Sequence, residues 1–331
     1  MSQLDITDLK VTFKTGDGDV NAVNALSLNI AAGETLAIVG ESGSGKSQTA
    51  FATMGLLARN DRATGSVKFD GKELLGLPTK DLNKVRSQQI GMILQDPMTS
   101  LNPYMRINDQ MAEVLTLHEG MSKREAITAA IHMLDAVGIP DAANRIRSYP
   151  HEFSGGLRQR IMVAMSLLCR PKLLIADEPT TALDVSVQAQ VVNLLMELQR
   201  DLGLSMIFIA HDLSVVKHVS DRIVGVYLGR QMETASAQKL TTAPEHPYTQ
   251  ALISSVLVPD PALEKARVRP ILEGELPSPL APPSGCVFRT RCPKVQDVCA
   301  HDRPAMIDLG RAHRVACPFH APAQVILTKA G

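Results

Sequence analysis

The most constraining stretch of the chain is Gly40-Glu41-Ser42-Gly43-Ser44-Gly45-Lys46-Ser47, which fits the pattern G-x-x-x-x-G-K-[ST]. It follows the compact apolar run Thr35-Leu36-Ala37-Ile38-Val39, which reads as a strand buried on both faces. It then opens a segment of helical character from Lys46 to Leu57. A strand that turns on glycines into a helix gathers backbone N–H groups and the positive end of the helix around one point. Such a cradle suits a polyphosphate. Gly40, Ser42, Gly43, Ser44 and Gly45 form the turn, Lys46 reaches the β- and γ-phosphates, Ser47 offers a hydroxyl to Mg²⁺, and Gln48 continues the helix start.

The rest of the chain supplies an α/β frame for this turn. Lys172–Ala176 and Ser205–Ala210 read as two more buried strands, and Val187, Val191, Leu194, Leu195 and Leu198 recur between them at helical spacing. Strand, helix, strand implies a parallel crossover. Upstream, Leu9, Val11 and Phe13, then Val23, Ala25, Leu26, Leu28 and Ile30, alternate around the turn Thr15-Gly16-Asp17-Gly18-Asp19, predicting an N-terminal antiparallel β region. Met111, Val114, Leu115, Leu117, Ala126, Ala130, Met133, Leu134 and Val137 have helical periodicity with no strand between them. They predict an inserted helical subdomain over about 97–170. Past residue 235 prolines break regular structure, so the expected division is a core of 1–235 and an irregular extension of 236–331.

Composition narrows the class. With 45% apolar and 21% charged residues the chain is an ordinary globular protein, and equal totals of 34 basic and 34 acidic residues give no bulk charge for nucleic acid. The longest apolar stretch, Ile161–Cys169, is about half of a bilayer span, and Asp5 and Asp8 interrupt any secretory core, so a cytoplasmic location is expected. The 14 methionines are scattered and read as gap-fillers, and the nine histidines form no i,i+4 metal pair.

A phosphate cradle needs a partner to hydrolyse anything. Leu173-Leu174-Ile175-Ala176-Asp177-Glu178 is a buried strand ending in two acids, which alone could be solvated turn residues. Beside a phosphate loop they read differently, with Asp177 holding Mg²⁺ through water and Glu178 polarising the attacking water. His211 directly follows the strand Ile207–Ala210, where it can meet a γ-phosphate. Late in the chain, Cys286, Cys292, Cys299 and Cys317 have the spacing C-x5-C-x6-C-x17-C. Four thiols in a proline-rich, strand-poor segment suggest a metal-centred knot. Without a paired CxxC the spacing selects no metal and leaves zinc, another metal or unliganded thiols open.

Phe153-Ser154-Gly155-Gly156-Leu157-Arg158-Gln159-Arg160 resembles the signature sequence of ABC-type ATPases, with Leu157 where the family often has Gln. Gln95 after Ile90–Leu94 is similar to the family's Q-loop, Ala182-Leu183-Asp184 to its D-loop and His211 to its H-loop. Phe13 stands where the family places an aromatic that stacks on adenine, although it also fits the core face of Leu9 and Val11. Gln95-Asp96-Pro97-Met98-Thr99-Ser100-Leu101-Asn102-Pro103 and His246-Pro247-Tyr248-Thr249 narrow the likeness to the importer subfamily for dipeptides, oligopeptides and nickel. Up to about residue 184 the wording resembles that subfamily's D-type subunit. From Val185, and through Ile271–Pro279, it resembles the F-type subunit.

The resemblance implies a P-loop ABC-type fold and an ATP-hydrolysing subunit that powers an importer. A motor for another solute, such as a nickel chelate, and a soluble non-transport ABC-type ATPase are the alternatives. The implied site comprises Gly40, Ser42, Gly43, Ser44, Gly45, Lys46, Ser47 and Gln48 of the turn, Phe13 at adenine, Glu178, His211 and Gln95 in catalysis, and Ser47, Gln95 and Asp177 around Mg²⁺. Asp184 serves the D-loop, and Ser154, Gly155, Gly156 and Leu157 act in trans on the nucleotide of a facing subunit. Cys286, Cys292, Cys299 and Cys317 resemble the subfamily's [4Fe-4S] motif. The implied partners are a second ATPase subunit, identical or a sister chain, two membrane permease subunits and an extracytoplasmic solute-binding protein, with no nucleic acid. The implied location is peripheral, at the cytoplasmic face of a bacterial inner membrane.

Overall fold

The computed structural model describes residues 2–58, 60–96, 100–181, 183–256 and 274–320. Of the segments that carried the family resemblance, Pro97, Met98, Thr99, Ala182 and Ile271–Glu273 lie outside these residues, as do Pro259, Pro261 and Pro270 of the tail. The chain divides into two compact units. One comprises Met1–Gln3, Ile30–Thr35 and Gly76–Ile209, and the other Leu4–Asn29, Leu36–Leu75 and Ala210–Gly331.

The first unit is built on parallel strands Ile90–Ile93, Leu173–Asp177 and Ser205–Ala210, with Ile90 opposite Leu173 and Ile175 opposite Ile207. Every residue of the last two strands is buried, as their unbroken apolar runs require of a sheet covered on both faces. Helix Val185–Leu202 makes the crossover and buries Val191, Val192, Leu194 and Leu195. It starts where the Asp184 carboxylate accepts the Val187 N–H at 2.9 Å and ends at Gly203. The inserted helices are Ile107–Glu119, Lys123–Ala136, Ala142–Arg145 and Gly155–Leu167. The first two pack on each other through the stripe that includes Met111, Leu115, Ala126, Ala130 and Leu134. A capping box between Ser122 and Glu125 starts the second.

The second unit has two sheets. In one, strands lie in the order Gly18–Ala31, Ser2–Thr15, Asp61–Phe69, Lys72–Glu73, with Leu4 opposite Phe69 and Val11 opposite Ala63. In the other, Thr35–Val39 runs parallel to Arg222–Tyr227, which pairs antiparallel with Arg230–Ser236 and then, through Arg314–Val315, with Ile307–Asp308. Helix Lys46–Met54 stops earlier than the expected Leu57 because Gly55 adopts a left-handed φ of 60° and returns its N–H to the last turn.

The tail is held by rings and a buried acid. Tyr227, Tyr248 and Phe288 meet with centroids 4.9, 5.2 and 5.4 Å apart, and Met232 and Val287 join the cluster. The fully buried Glu233 accepts the N–H groups of Glu245 at 2.8 Å and His246 at 3.0 Å, and its carboxylate lies 2.7 Å from His313 Nε2. A carboxylate removed from water needs such donors.

The iron–sulfur expectation for Cys286, Cys292, Cys299 and Cys317 is corrected here. Among the described residues no group of three or more His, Cys, Asp or Glu side chains is placed to hold a metal ion. All four are free cysteines, and Cys286 and Cys299 pack within the apolar cluster around Phe288. Burial pushes the Cys286 thiol up to about 11 and raises those of Cys292 and Cys317. Ring packing around Phe288, with Cys286 and Cys299 inside the same cluster, holds this part of the tail.

Candidate nucleotide site

The phosphate loop rises from the buried strand Thr35–Val39 and leads into helix Lys46–Met54. Glycine is required twice by close approach of backbone. A Cβ on Gly45, which holds φ 95°, would collide with the Ala22 carbonyl oxygen, and one on Gly40 would collide with that of Val226. Lys46 is only 4% exposed, and its ammonium donates to the carbonyls of Gly40 at 2.8 Å and Glu41 at 3.0 Å, so it lies folded across the loop's own backbone. Ser44 is 1% exposed, and among the described residues its Oγ has no hydrogen-bond partner. An orphaned buried hydroxyl and a buried ammonium on one glycine turn fit an anionic hydrogen-bond acceptor such as a phosphate.

In the first unit the strand Leu173–Asp177 delivers Asp177, 2% exposed, at its last position and Glu178 immediately beyond it. Glu178 has a left-handed φ of 46°, a strained conformation for a residue other than glycine, and its N–H is fixed to the Ile209 carbonyl at 3.0 Å. Its Oε2 accepts hydrogen bonds from Gln95 Nε2 at 2.9 Å and Thr181 Oγ1 at 3.0 Å. The structure thus brings together Gln95 and Glu178, which sequence spacing alone leaves 83 residues apart. Thr181 was missed by the sequence reading, although its place three residues beyond Glu178 in the same turn is a local signal.

The remaining expected residues fall as follows. Ser154 is the N-cap position of helix Gly155–Leu167, and its side chain makes no capping hydrogen bond. Ser154 and Gly155 are exposed and Gly156 and Leu157 half-buried, with no acid in the first helical turn. The helix end therefore presents N–H groups and a positive dipole outward. A Cβ on Gly156 would lie 2.6 Å from Val187 Cγ1, which explains a glycine there. Asp184 is engaged in capping its own helix. Phe13 is half-buried opposite Asp61, in contrast to the fully buried Leu9 and Val11. His211 is exposed directly after strand Ser205–Ala210, and Ser47 and Gln48, both half-buried, lie in the first turn of helix Lys46–Met54.

Comparison with known proteins bears on the same residues. Residues 23–181 match the family model described as ABC transporter, and residues 232–299 match the oligopeptide/dipeptide transporter C-terminal region. The oligopeptide transport ATP-binding protein OppD of Salmonella typhimurium is 55% identical over 302 residues, 91% of this chain and 89% of the relative. The oligopeptide transport ATP-binding protein OppF of Escherichia coli is 51% identical over 324 residues, 95% of each chain. The dipeptide transport ATP-binding protein DppD of Bacillus subtilis is 45% identical over 316 residues, covering 95% of this chain and 93% of the relative. Among solved structures, a dimeric post-hydrolysis state of the ATP-binding cassette MJ0796 bound to ADP and Pi aligns with TM-score 0.63 at 26% identity. It covers 71% of this chain and 98% of the cassette. The cbiO1 subunit of Clostridium perfringens, part of the ABC transporter complex cbiONQ, aligns with TM-score 0.61 at 26% identity over 73% of this chain and 91% of that one.

Proposed function

Because the chain belongs to the ATP-binding subunits of ABC transporters and carries the oligopeptide/dipeptide C-terminal region, we propose that it binds and hydrolyses ATP to drive peptide import. The observation that carries the hydrolytic part is Glu178, a carboxylate at the end of a buried strand whose Oε2 is oriented by Gln95 and Thr181. Geometry of this kind holds a base ready to take a proton from water. Lys46, held over the loop by the Gly40 and Glu41 carbonyls, offers its ammonium to phosphate oxygens, and Ser44 Oγ donates to one as well. Ser47, Gln95 and Asp177 would hold Mg²⁺, which neutralises phosphate charge and orients the terminal oxygens. His211 contacts the γ-phosphate and Phe13 the adenine.

Ser154 to Leu157 act on the nucleotide of a second subunit. The outward-facing, uncapped helix start supports this role, since an exposed set of N–H groups with a helix dipole is an anion receptor awaiting its anion. Two such chains, or this chain and a sister, then enclose ATP between them, and hydrolysis removes the charge that held them. Among the described residues no helix is long and apolar enough to cross a membrane. Permease subunits supply the pathway and a solute-binding protein the peptide. The chain works at the membrane's cytoplasmic face, where ATP is available.

The experiment is uptake of a labelled tripeptide by cells that carry this chain with its permease partners, compared with the Lys46→Ala variant. Uptake falling to background with the variant supports the reading. Unchanged uptake contradicts it.

A further inference from the structure

The phosphate loop is tied to the C-terminal region by contacts that none of the assigned roles uses. Nη1 of Arg291 donates to both carboxylate oxygens of Glu41, the second residue of the loop, at 2.9 and 2.9 Å. The pair is largely withdrawn from water, with side-chain exposures of 9% for Arg291 and 26% for Glu41. The Glu41 N–H donates to Tyr248 Oη at 3.0 Å, and that hydroxyl in turn donates to the Val226 carbonyl at 3.2 Å. Tyr248 is fully buried in the ring cluster, and the Arg291 guanidinium lies 6.0 Å from the centroid of Tyr227. The carbonyl of the same Glu41 accepts from Lys46 Nζ at 3.0 Å. One loop residue is therefore held by its side chain, its N–H and its carbonyl.

A carboxylate is a costly choice inside a loop that receives a triphosphate, because like charges in a partly desolvated site repel strongly. Arg291 offsets that charge at hydrogen-bond distance, and the link is short and charge-assisted. We propose that Arg291 is a positioning residue for nucleotide binding: it neutralises Glu41 and holds the loop peptide on which Lys46 rests, making the C-terminal region part of the ATP site. This inference rests on the functional reading above and names what sustains that site. Arg291 acts through Glu41.

The test is equilibrium titration of the full-length chain with a fluorescent ATP analogue and Mg²⁺, using wild type, Lys46→Ala, Arg291→Ala, Glu41→Gln and the double variant Arg291→Ala/Glu41→Gln. Arg291→Ala is expected to weaken affinity about tenfold by leaving the carboxylate uncompensated. Removing that carboxylate as well is expected to bring the double variant back to within about threefold of wild type, because the coupling lies between the two charges. A structural anchor for the tail would give no such rescue. Wild-type affinity in Arg291→Ala, or a double variant as weak as Arg291→Ala, overturns the proposal. Should Arg291→Ala not fold, Glu41→Gln carries the test alone: affinity equal to or tighter than wild type is expected, and a loss of about tenfold overturns the proposal. Loss of affinity with Lys46→Ala but not with Arg291→Ala refutes this inference alone. A wild-type chain that does not bind the analogue refutes the functional reading with it.

Discussion

Replacing Glu178 by Gln isolates one chemical property of the site. Glu178 Oε2 accepts hydrogen bonds from Gln95 Nε2 at 2.9 Å and Thr181 Oγ1 at 3.0 Å. The amide oxygen of Gln can accept both, and the backbone bond to Ile209 does not involve the side chain. Shape and packing are therefore kept, and what is lost is the ability to take a proton. A positioned general base contributes about 10²- to 10⁴-fold in rate, or roughly 3 to 5 kcal/mol of barrier. Phosphate release at saturating ATP is accordingly expected to fall at least about 100-fold, while ATP affinity stays within about threefold of wild type. A turnover number within about tenfold of wild type would refute Glu178 as the base. A parallel collapse of ATP affinity would show that the side chain holds the site together and does not act in the chemical step.

Three further outcomes follow from the geometry. Gly45→Ala sets a Cβ against the Ala22 carbonyl at a φ of 95°, so nucleotide binding is expected to disappear at concentrations that saturate wild type, and retained affinity would contradict the loop geometry. His313→Ala leaves the buried Glu233 without its side-chain partner and should cost about 3 kcal/mol in chemical denaturation, where a change under about 1 kcal/mol would contradict the pairing. Burial pushes the His246 imidazole from 6.5 down to about 3, so the folded chain keeps it neutral while the unfolded chain takes up a proton. Its stability contribution is thus complete above pH 6.5 and lost as pH falls toward 3, by about 2 kcal/mol at pH 5, and His246→Gln should abolish that part of the dependence.

The parts legible in the sequence were those written in local spacing. Thr35–Val39 and Leu173–Asp177 are short apolar runs that a buried parallel strand demands, and the glycines of Gly40–Ser47 mark a turn whose residues are neighbours in the chain. The end of helix Lys46–Met54 at Gly55 was also a local signal, passed over because Leu56 and Leu57 continue the apolar pattern. Pairs formed across long separations left no such trace. Glu233 with His313 and Glu41 with Arg291 are joined only by folding, and each partner alone reads as an ordinary surface charge. The cysteines show the opposite error. Their spacing suggested a metal site, but spacing does not fix where side chains point. Among the described residues no group of three or more His, Cys, Asp or Glu is placed to hold a metal ion, while Cys286 and Cys299 pack with Tyr227, Tyr248 and Phe288.

The central claim is that two subunits complete each other's ATP site, with Gly40–Ser47 from one and Ser154–Leu157 from the other. The most direct test is ATP hydrolysis per mole of the full-length chain, measured across a wide range of protein concentration at saturating Mg²⁺ and ATP. The account predicts specific activity that rises with concentration as subunits pair and then levels off. A specific activity that stays constant down to concentrations at which the chain sediments as a monomer would contradict it.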